Sequence, residues 1–470
     1  MRKRKFQPYI LENISITNAG SDGKSVARQG EKVVLVDYGV PGDVVDIEVT
    51  STKKKVNFGR VKRVVTPSPS RVEPFCAHFG VCGGCKWQQM SYEAQLTYKN
   101  QQVLDAFERI GKFPFPPFMP IVGSAKTQGY RNKLEYSFTD RKWLTAVSDK
   151  ETMLDDEHKG LGFHIPGRFD KVLDIAHCYH QPDPSNRIRL AIRDFAIQHG
   201  YSFHNAHSQE GFMRNILIRN SSLGEWMVVV VFKEDDSEKI NPLMEMVKEQ
   251  FPEITSLLYV INGKMNDTIH DLPVHVFAGK DHLVEQLGET TFHIGAKSFF
   301  QTNTDQTLNL YNVARDFAGL TGSENVYDLY TGVGTIALYV SENARQVVGI
   351  EYVEQAIVDA KHNATLNNNT NTHFYAGDMK DVLNDELIAR HGKPDVIITD
   401  PPRAGMDEKV IQKILEVAPQ KVVYVSCNPA TQARDIALMI EQYEVTAVQP
   451  VDMFPHTHHV ENVALLELRK

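Results

Sequence analysis

Five cysteines in 470 residues fall into two chemical settings. Cys427 stands alone, after the apolar run Val422–Val425 and in front of Asn428-Pro429. The run predicts a short buried strand, and a proline, having no backbone N–H, stops it. A thiol delivered to a strand end can act as a nucleophile, whereas the commoner fate of a lone cysteine is an inert buried hydrophobe. Glu461 has a similar setting, after "FPHTHHV" and before "NVALLEL", which predicts a carboxylate at another sheet end. Taken singly, such a glutamate would usually be solvated surface.

The other four cysteines form a three-plus-one set. Cys76, Cys82 and Cys85 read C-x5-C-x2-C, and Cys178 follows 93 residues later. An odd total in a reducing compartment argues for ligands or a nucleophile rather than a disulfide framework. Structural zinc usually shows two C-x2-C pairs, so the spacing favours a [4Fe–4S] cluster and leaves zinc open. Gly80, Gly83 and Gly84 would let the loop wrap closely round such a group. His456, His458 and His459 sit in one short loop, but no cysteine or carboxylate ligand is evident beside them, so they are not read as a zinc site.

A third group is acidic. "NVYDLYTGVGTIALYV" puts Asp328 near a strand end, ahead of Gly332, Gly334 and an apolar helix. Glu351 ends "QVVGIE", Asp378 ends "FYAGD" and Asp400 ends "DVIITD". Acids at the carboxyl ends of successive strands mark the edge where open α/β sheets bind ligands, and an acid after the second strand can hold ribose hydroxyls. G-x-G without a third spaced glycine does not meet the pyrophosphate fingerprint. No phosphate-binding lysine accompanies it. The combination suits S-adenosylmethionine, which offers a ribose and an adenine but no pyrophosphate.

These groups need elements to hold them. A chain this long predicts two or three domains, and 42% hydrophobic with 23% charged residues is the balance of a soluble globular protein. Residues 8–66 alternate apolar and polar positions between turn signals such as "SDGKS" and "VPGD", predicting about five short strands in an OB-like barrel, an architecture often used to bind RNA. "TPSPSRVEP" is a linker, and Ser91 to Gly111 is helical in pattern until Pro114. Residues 128–290 read as α+β, and strands alternate with helices from Phe300 onwards, the pattern of a mostly parallel α/β sheet. The net charge is −8, yet residues 1–70 hold 13 Lys/Arg against 7 Asp/Glu, a local +6 that leaves −14 for the remainder. "MRKRK" and "STKKKVNFGRVKR" are either solvated faces or phosphate contacts. No apolar run is long enough to span a bilayer and the start lacks a secretory core, so a cytoplasmic chain without a membrane partner is expected. No obligate protein partner is evident either.

In their order and wording the motifs resemble one family. "FFQTN" (299–303), "DLYTGVGT" (328–335), "GIE" (349–351), "DPPRAG" (400–405), "SCNPATQARD" (426–435) and "DMFPHTHHVE" (452–461), with "CAHFGVCGGC" and Cys178, look like the RNA uracil-5-methyltransferases. The likeness is to their iron–sulfur branch acting on large-subunit ribosomal RNA, and it covers nearly the whole chain. It implies a Rossmann-like class I methyltransferase domain (91–125 and 296–470), a central α+β domain bearing the cluster (74–90 and 126–295) and a TRAM barrel (1–68). It further implies that Gln301, Tyr330, Glu351 and Asp400 hold S-adenosylmethionine, with Asp378 added by position. Cys427 would be the nucleophile, Glu461 the base, and Cys76, Cys82, Cys85 and Cys178 the cluster ligands. The implied substrate is ribosomal RNA, or transfer RNA.

The chemistry accounts for the residue types. Carbon 5 of uracil is a poor nucleophile until a thiolate adds to carbon 6 and places electron density on it. A base must later remove the hydrogen from carbon 5 so that the thiolate can leave. Two rival readings remain at this point. A cytosine-5 methyltransferase uses the same addition but presents Pro-Cys, where Ser426 stands here. A non-catalytic RNA-binding protein would have no need of both Cys427 and Glu461. Arg403 takes the place of the aromatic in the "PP[YFW]" loops of amino-methyltransferases, which argues against an exocyclic amine as acceptor.

Overall fold

The computed structural model describes residues 6–20, 22–145 and 155–470. Five strands, β1 (Tyr9–Ala19), β2 (Ser25–Gln29), β3 (Lys32–Asp37), β4 (Val44–Lys53) and β5 (Val56–Thr66), close a barrel in the order β1-β2-β3-β5-β4. The period-2 pattern explains it: Val34 and Val36 on β3 and Val45, Ile47 and Val49 on β4 fill the interior. The linker is clamped to the barrel by buried Asp43, which accepts from Arg71 Nη2 at 2.6 Å and from the Ser68 N–H at 2.8 Å.

Helix α1 (Tyr92–Ala106) starts at a Ser91 cap and widens into a π-turn, Phe107–Gly111. It lies on the carboxyl-terminal part of the chain, where Val103 and Phe107 share a core with Ile436 and Met439. Between them in sequence comes a seven-stranded sheet, order β12-β11-β10-β9-β6-β7-β8. Its strands are β6 (Lys133–Thr139), β7 (Gly160–His164), β8 (Val172–Asp174), β9 (Met213–Asn220), β10 (Trp226–Phe232), β11 (Ile254–Ile261) and β12 (His275–Gly279). Helices α2 (Ser185–Gln198) and α3 (Ser237–Gln250) cover one face. Met227, Val229 and Val231 are buried on the other, which is why β10 is apolar throughout rather than alternating. A hairpin, β13 (His282–Leu287) with β14 (Thr290–Gly295), leads on to the last unit.

That unit contains α4 (Thr304–Ala318), β15 (Asn325–Leu329), α5 (Thr335–Ser341), β16 (Gln346–Glu351), α6 (Glu354–Leu366), β17 (Thr372–Ala376), α7 (Met379–Val382), α8 (Asp385–His391), β18 (Val396–Thr399), α9 (Glu408–Val417), β19 (Lys421–Ser426), α10 (Pro429–Met439), β20 (Tyr443–Val451) and β21 (Glu461–Leu468). The sheet order is β17-β16-β15-β18-β19-β21-β20; the first five strands are parallel, and β21 alone runs antiparallel to both its neighbours, β19 and β20. The winding direction reverses between β15 and β18, which opens a crevice at the carboxyl ends of those strands. Among the described residues no helix is long and apolar enough to cross a membrane.

One buried ion pair holds this arrangement. Lys99 on α1 donates to Asp452 at 2.6 Å, both side chains being fully buried, and to the Phe454 carbonyl at 2.9 Å. Removing one partner would leave a naked buried charge. Lys99→Met should therefore lower the unfolding free energy by about 3–5 kcal/mol, read from the denaturant midpoint, whereas a surface lysine costs almost nothing. A loss below about 1 kcal/mol would mean the carboxylate takes up a proton instead.

Candidate active site

Strand register assembles the site. In the parallel ladders Leu329 pairs with Ile350 on one side and with Thr399 on the other. The next residue of each strand is Tyr330, Glu351 and Asp400, so these three form one row at the carboxyl edge. On the antiparallel side Ser426 pairs with Asn462. One residue on from Ser426 and one residue back from Asn462 bring Cys427, just past the end of β19, beside Glu461, whose charge acts on the thiol. These two side chains come from adjacent strands, with α10, β20 and a loop between them in sequence.

The electrostatics of this row follow from burial. Glu461 is 2% exposed, and Oε2 has no hydrogen-bond partner. Desolvation, then the charge of Asp400, raises its carboxyl well above the ordinary range, and Arg403 pulls it partly back. Burial raises Asp400 to about 7. Cys427 is pushed up to about 12 by burial, then by Glu461 and Asp400. At neutral pH the resting site therefore holds a thiol, with the acid pair keeping hold of a proton. Because Asp400 binds its proton more tightly folded than unfolded, the fold loses stability as pH climbs from about 4 to about 7. Asp400→Asn removes the Asp400 share of that slope: without cofactor its unfolding free energy should exceed the wild type's by a few kcal/mol at about pH 8 and match it near pH 4. A gap independent of pH would reject the buried charge as its origin.

The loop after β18 is tied to the segment that follows Cys427. The Arg403 carbonyl accepts from Asn428 Nδ2 at 2.9 Å and from Thr431 Oγ1 at 3.3 Å, while Asn428 also caps α10 through the Ala430 N–H. Proline at the first helical position completes the start that aims Cys427 away from the strand. Arg403 Nη2 donates to His459 Nδ1 at 2.8 Å, so His459 is neutral; burial, His458 and Arg403 lower it to about 3. Asp435 takes the Met406 N–H and the Tyr424 hydroxyl on one oxygen, at 2.8 and 2.7 Å.

The row also has the features of an adenosine site. Glu351 accepts from the Gly332 and Val353 N–H groups, at 3.2 and 2.9 Å, which orients its carboxylate at the crevice. Gly332 has φ +56 and open space where a side chain would project, so a ligand can approach its backbone. Tyr330 adopts φ 65, a left-handed conformation that a tyrosine seldom takes and that clusters at binding sites. Asp328 is fully buried; Oδ2 accepts from Thr331 and Ala337 while Oδ1 has no partner. Gln301 is buried, with its carbonyl held by Asn132 Nδ2 at 2.9 Å. Asp378 is placed differently: it caps α7 through the Lys380 N–H and pairs with Lys380 Nζ at 2.5 Å, which lowers its carboxyl. Both of its oxygens are engaged within its own turn.

Cys76, Cys82, Cys85 and Cys178 line a single cavity of about 130 Å³, with Phe75 and His180. Burial raises Cys82 to about 11 and Cys85 to about 12, and each is raised further by the other sulfurs. Neutral thiols avoid that repulsion, and a cationic group among them would reverse it. Among the described residues no three His, Cys, Asp or Glu side chains are grouped as an ion site. An all-sulfur set spread round a cavity fits a bulky cluster better than one ion. This cavity reaches the loop before Glu461: Cys85 Sγ and His180 Nε2 lie 2.8 Å apart, Tyr130 packs edge-on against His180, and its hydroxyl donates to the Pro455 carbonyl. Phe75 meets His456 edge to face, and the His456 carbonyl accepts from the Lys86 and Trp87 N–H groups.

Sequence reasoning missed Lys99, His180, Asn132 and the Arg403–His459 contact. None carries a local signal, because each is defined by a partner distant in the chain. Asp435 did have one, the terminal acid of "SCNPATQARD".

Comparison with known proteins agrees with this geometry. Residues 276–469 match the model of the tRNA (uracil-5-)-methyltransferases, and residues 12–62 that of the TRAM domain. Uncharacterised RNA methyltransferases of Bacteroides thetaiotaomicron and Porphyromonas gingivalis are 56% and 52% identical, in each case over 96% of this chain and at least 99% of the relative. The crystal structure of Pyrococcus abyssi tRNA (uracil-54, C5)-methyltransferase in complex with S-adenosyl-L-homocysteine is 28% identical, with a TM-score of 0.74 over 96% of this chain and 99% of that one. The chain belongs to the tRNA (uracil-5-)-methyltransferase family: it is an S-adenosylmethionine-dependent RNA methyltransferase with an amino-terminal TRAM domain.

Proposed function

We propose that the protein methylates carbon 5 of a uridine in structured cytoplasmic RNA, ribosomal RNA before transfer RNA, with Cys427 as nucleophile and Glu461 as base. The observation that carries this reading is the opposition of Cys427 and Glu461 across β19 and β21, beside the row of Tyr330, Glu351 and Asp400. Cys427 Sγ bonds to carbon 6 of the uracil as its proton passes by way of the acid pair to solvent, which leaves the pair's one proton on Asp400 and Glu461 ionised. Bound S-adenosylmethionine supplies an electrophilic methyl group, which carbon 5 takes. Glu461 then accepts the hydrogen of carbon 5, the carbon 6–sulfur bond breaks and the ring recovers its conjugation. A raised carboxyl is a strong base once ionised, and Arg403 favours that ionised form.

Gln301, Tyr330, Glu351 and Asp400 would hold the methyl donor, Glu351 at the ribose hydroxyls; Asp378 would contribute only by releasing Lys380. Cys76, Cys82, Cys85 and Cys178 would hold a [4Fe–4S] cluster that shapes the loop Asp452–Glu461 through His180 and Phe75. The Pyrococcus relative, whose substrate is tRNA, supports transfer RNA as the second reading. Ribosomal and transfer RNA incubated with methyl-labelled donor, then digested to nucleosides, should yield label in 5-methyluridine, most from ribosomal RNA. Label in 5-methylcytidine would overturn the reading. Anaerobically purified protein should carry about four irons, reduced by Cys178→Ser; stoichiometric zinc would refute the cluster.

A further inference from the structure

The central sheet has a second cavity, of about 330 Å³, remote in sequence from every catalytic group. We propose that it is a pocket for one unpaired nucleobase of the RNA substrate. Its floor comes from adjacent strands β6 and β9. Asn215 is 4% exposed and donates to Ser137 Oγ at 3.1 Å, while its Oδ1 is buried without a partner. His204 Nδ1 and Gln209 Oε1, also at the cavity, are buried and unpartnered too. A buried polar atom with no partner costs free energy unless something arrives to satisfy it.

The rim has the opposite character. Phe169 is 70% exposed and Met265 79%, a large apolar ring and a thioether left in water beside a polar floor. Both are braced. Arg168 grips the neighbouring Asp170 with two 2.9 Å bonds, and His207 packs edge-on against Phe169. Arg214, wholly buried, donates to the carbonyls of Asn262, Lys264 and Asn266 and to Asp267, fixing the loop that carries Met265.

A ligand for this cavity must have apolar faces and a polar edge. No lysine lines it, and its one arginine is consumed by carbonyls and Asp267, so it does not suit a phosphate. A nucleobase meets both demands, stacking on the aromatic ring while its edge reaches buried amide and imidazole atoms. The inference rests on the RNA substrate alone and not on which base is methylated.

The four ribonucleoside 5′-monophosphates, offered to the full-length protein saturated with S-adenosylhomocysteine, test it by saturation-transfer NMR. At least one should bind through its base protons, and inorganic phosphate should not displace it. Phe169→Ala, at an exposed position, should weaken that binding roughly tenfold, and Asn215→Ala should alter which base is preferred. S-adenosylhomocysteine affinity should be the same in both variants, which separates this pocket from the catalytic site. No binding by any of the four, displacement by phosphate, or equal affinity in Phe169→Ala would overturn the proposal.

Discussion

Cys427→Ala should transfer no detectable methyl group to RNA, a loss of at least roughly a thousandfold, while still binding S-adenosylhomocysteine as the wild type does. The first half follows from the reaction: without a bond to carbon 6, carbon 5 never acquires the electron density that attacks the methyl group. The second half follows from the architecture, because Cys427 lies at the end of β19, two strands away from the Gly332–Glu351 side of the row. Removing a half-buried thiol opens little volume and leaves the Asn428 cap and its bond to Arg403 intact. Retained methylation would remove Cys427 as the nucleophile, and a parallel loss of cofactor affinity would mean that the variant had disturbed the whole edge.

Glu461→Gln should stop the reaction one step later. Addition and methyl transfer still proceed, but the hydrogen on carbon 5 has no acceptor, so the enzyme remains bonded to methylated RNA. Turnover should fall by about 10²–10⁴-fold, and an RNA–protein adduct stable to denaturing gels should accumulate, carrying the labelled methyl group. The amide is nearly isosteric and removes a carboxyl that burial already holds protonated, so the variant should be no less stable than the wild type. Normal turnover without adduct would reassign the base. Cys427→Ala combined with Glu461→Gln should form no adduct at all, which identifies the sulfur as the point of attachment.

Much of the architecture is legible in local pattern. β3 alternates because one face fills the barrel, and β10 is continuously apolar because both faces are covered. The acids at strand ends are legible for a related reason: a strand must end where its ladder ends, and polar residues collect there. Asp378 shows the limit of that logic. β17 stops at Ala376, and an acid two residues later is as well suited to capping the next helix, the role it has here with Lys380. The cysteine spacing was equally open. Their convergence on one cavity depends on the path from Cys85 to Cys178, which runs through three strands of the central sheet.

By itself the sequence determined the chemical inventory: a thiol, a lone late glutamate, acids in strand-end positions and a four-sulfur set. It also determined the strand and helix types, since periodicity of 2 or 3.6 is a property of neighbours in the chain. Tertiary structure alone decided which of these groups face one another. Cys427 meets Glu461 only because β21 inserts between β19 and β20 in the antiparallel register that pairs Ser426 with Asn462. Register is selected by burial of whole strand faces, a sum over residues far apart in the chain, and no local run encodes that sum.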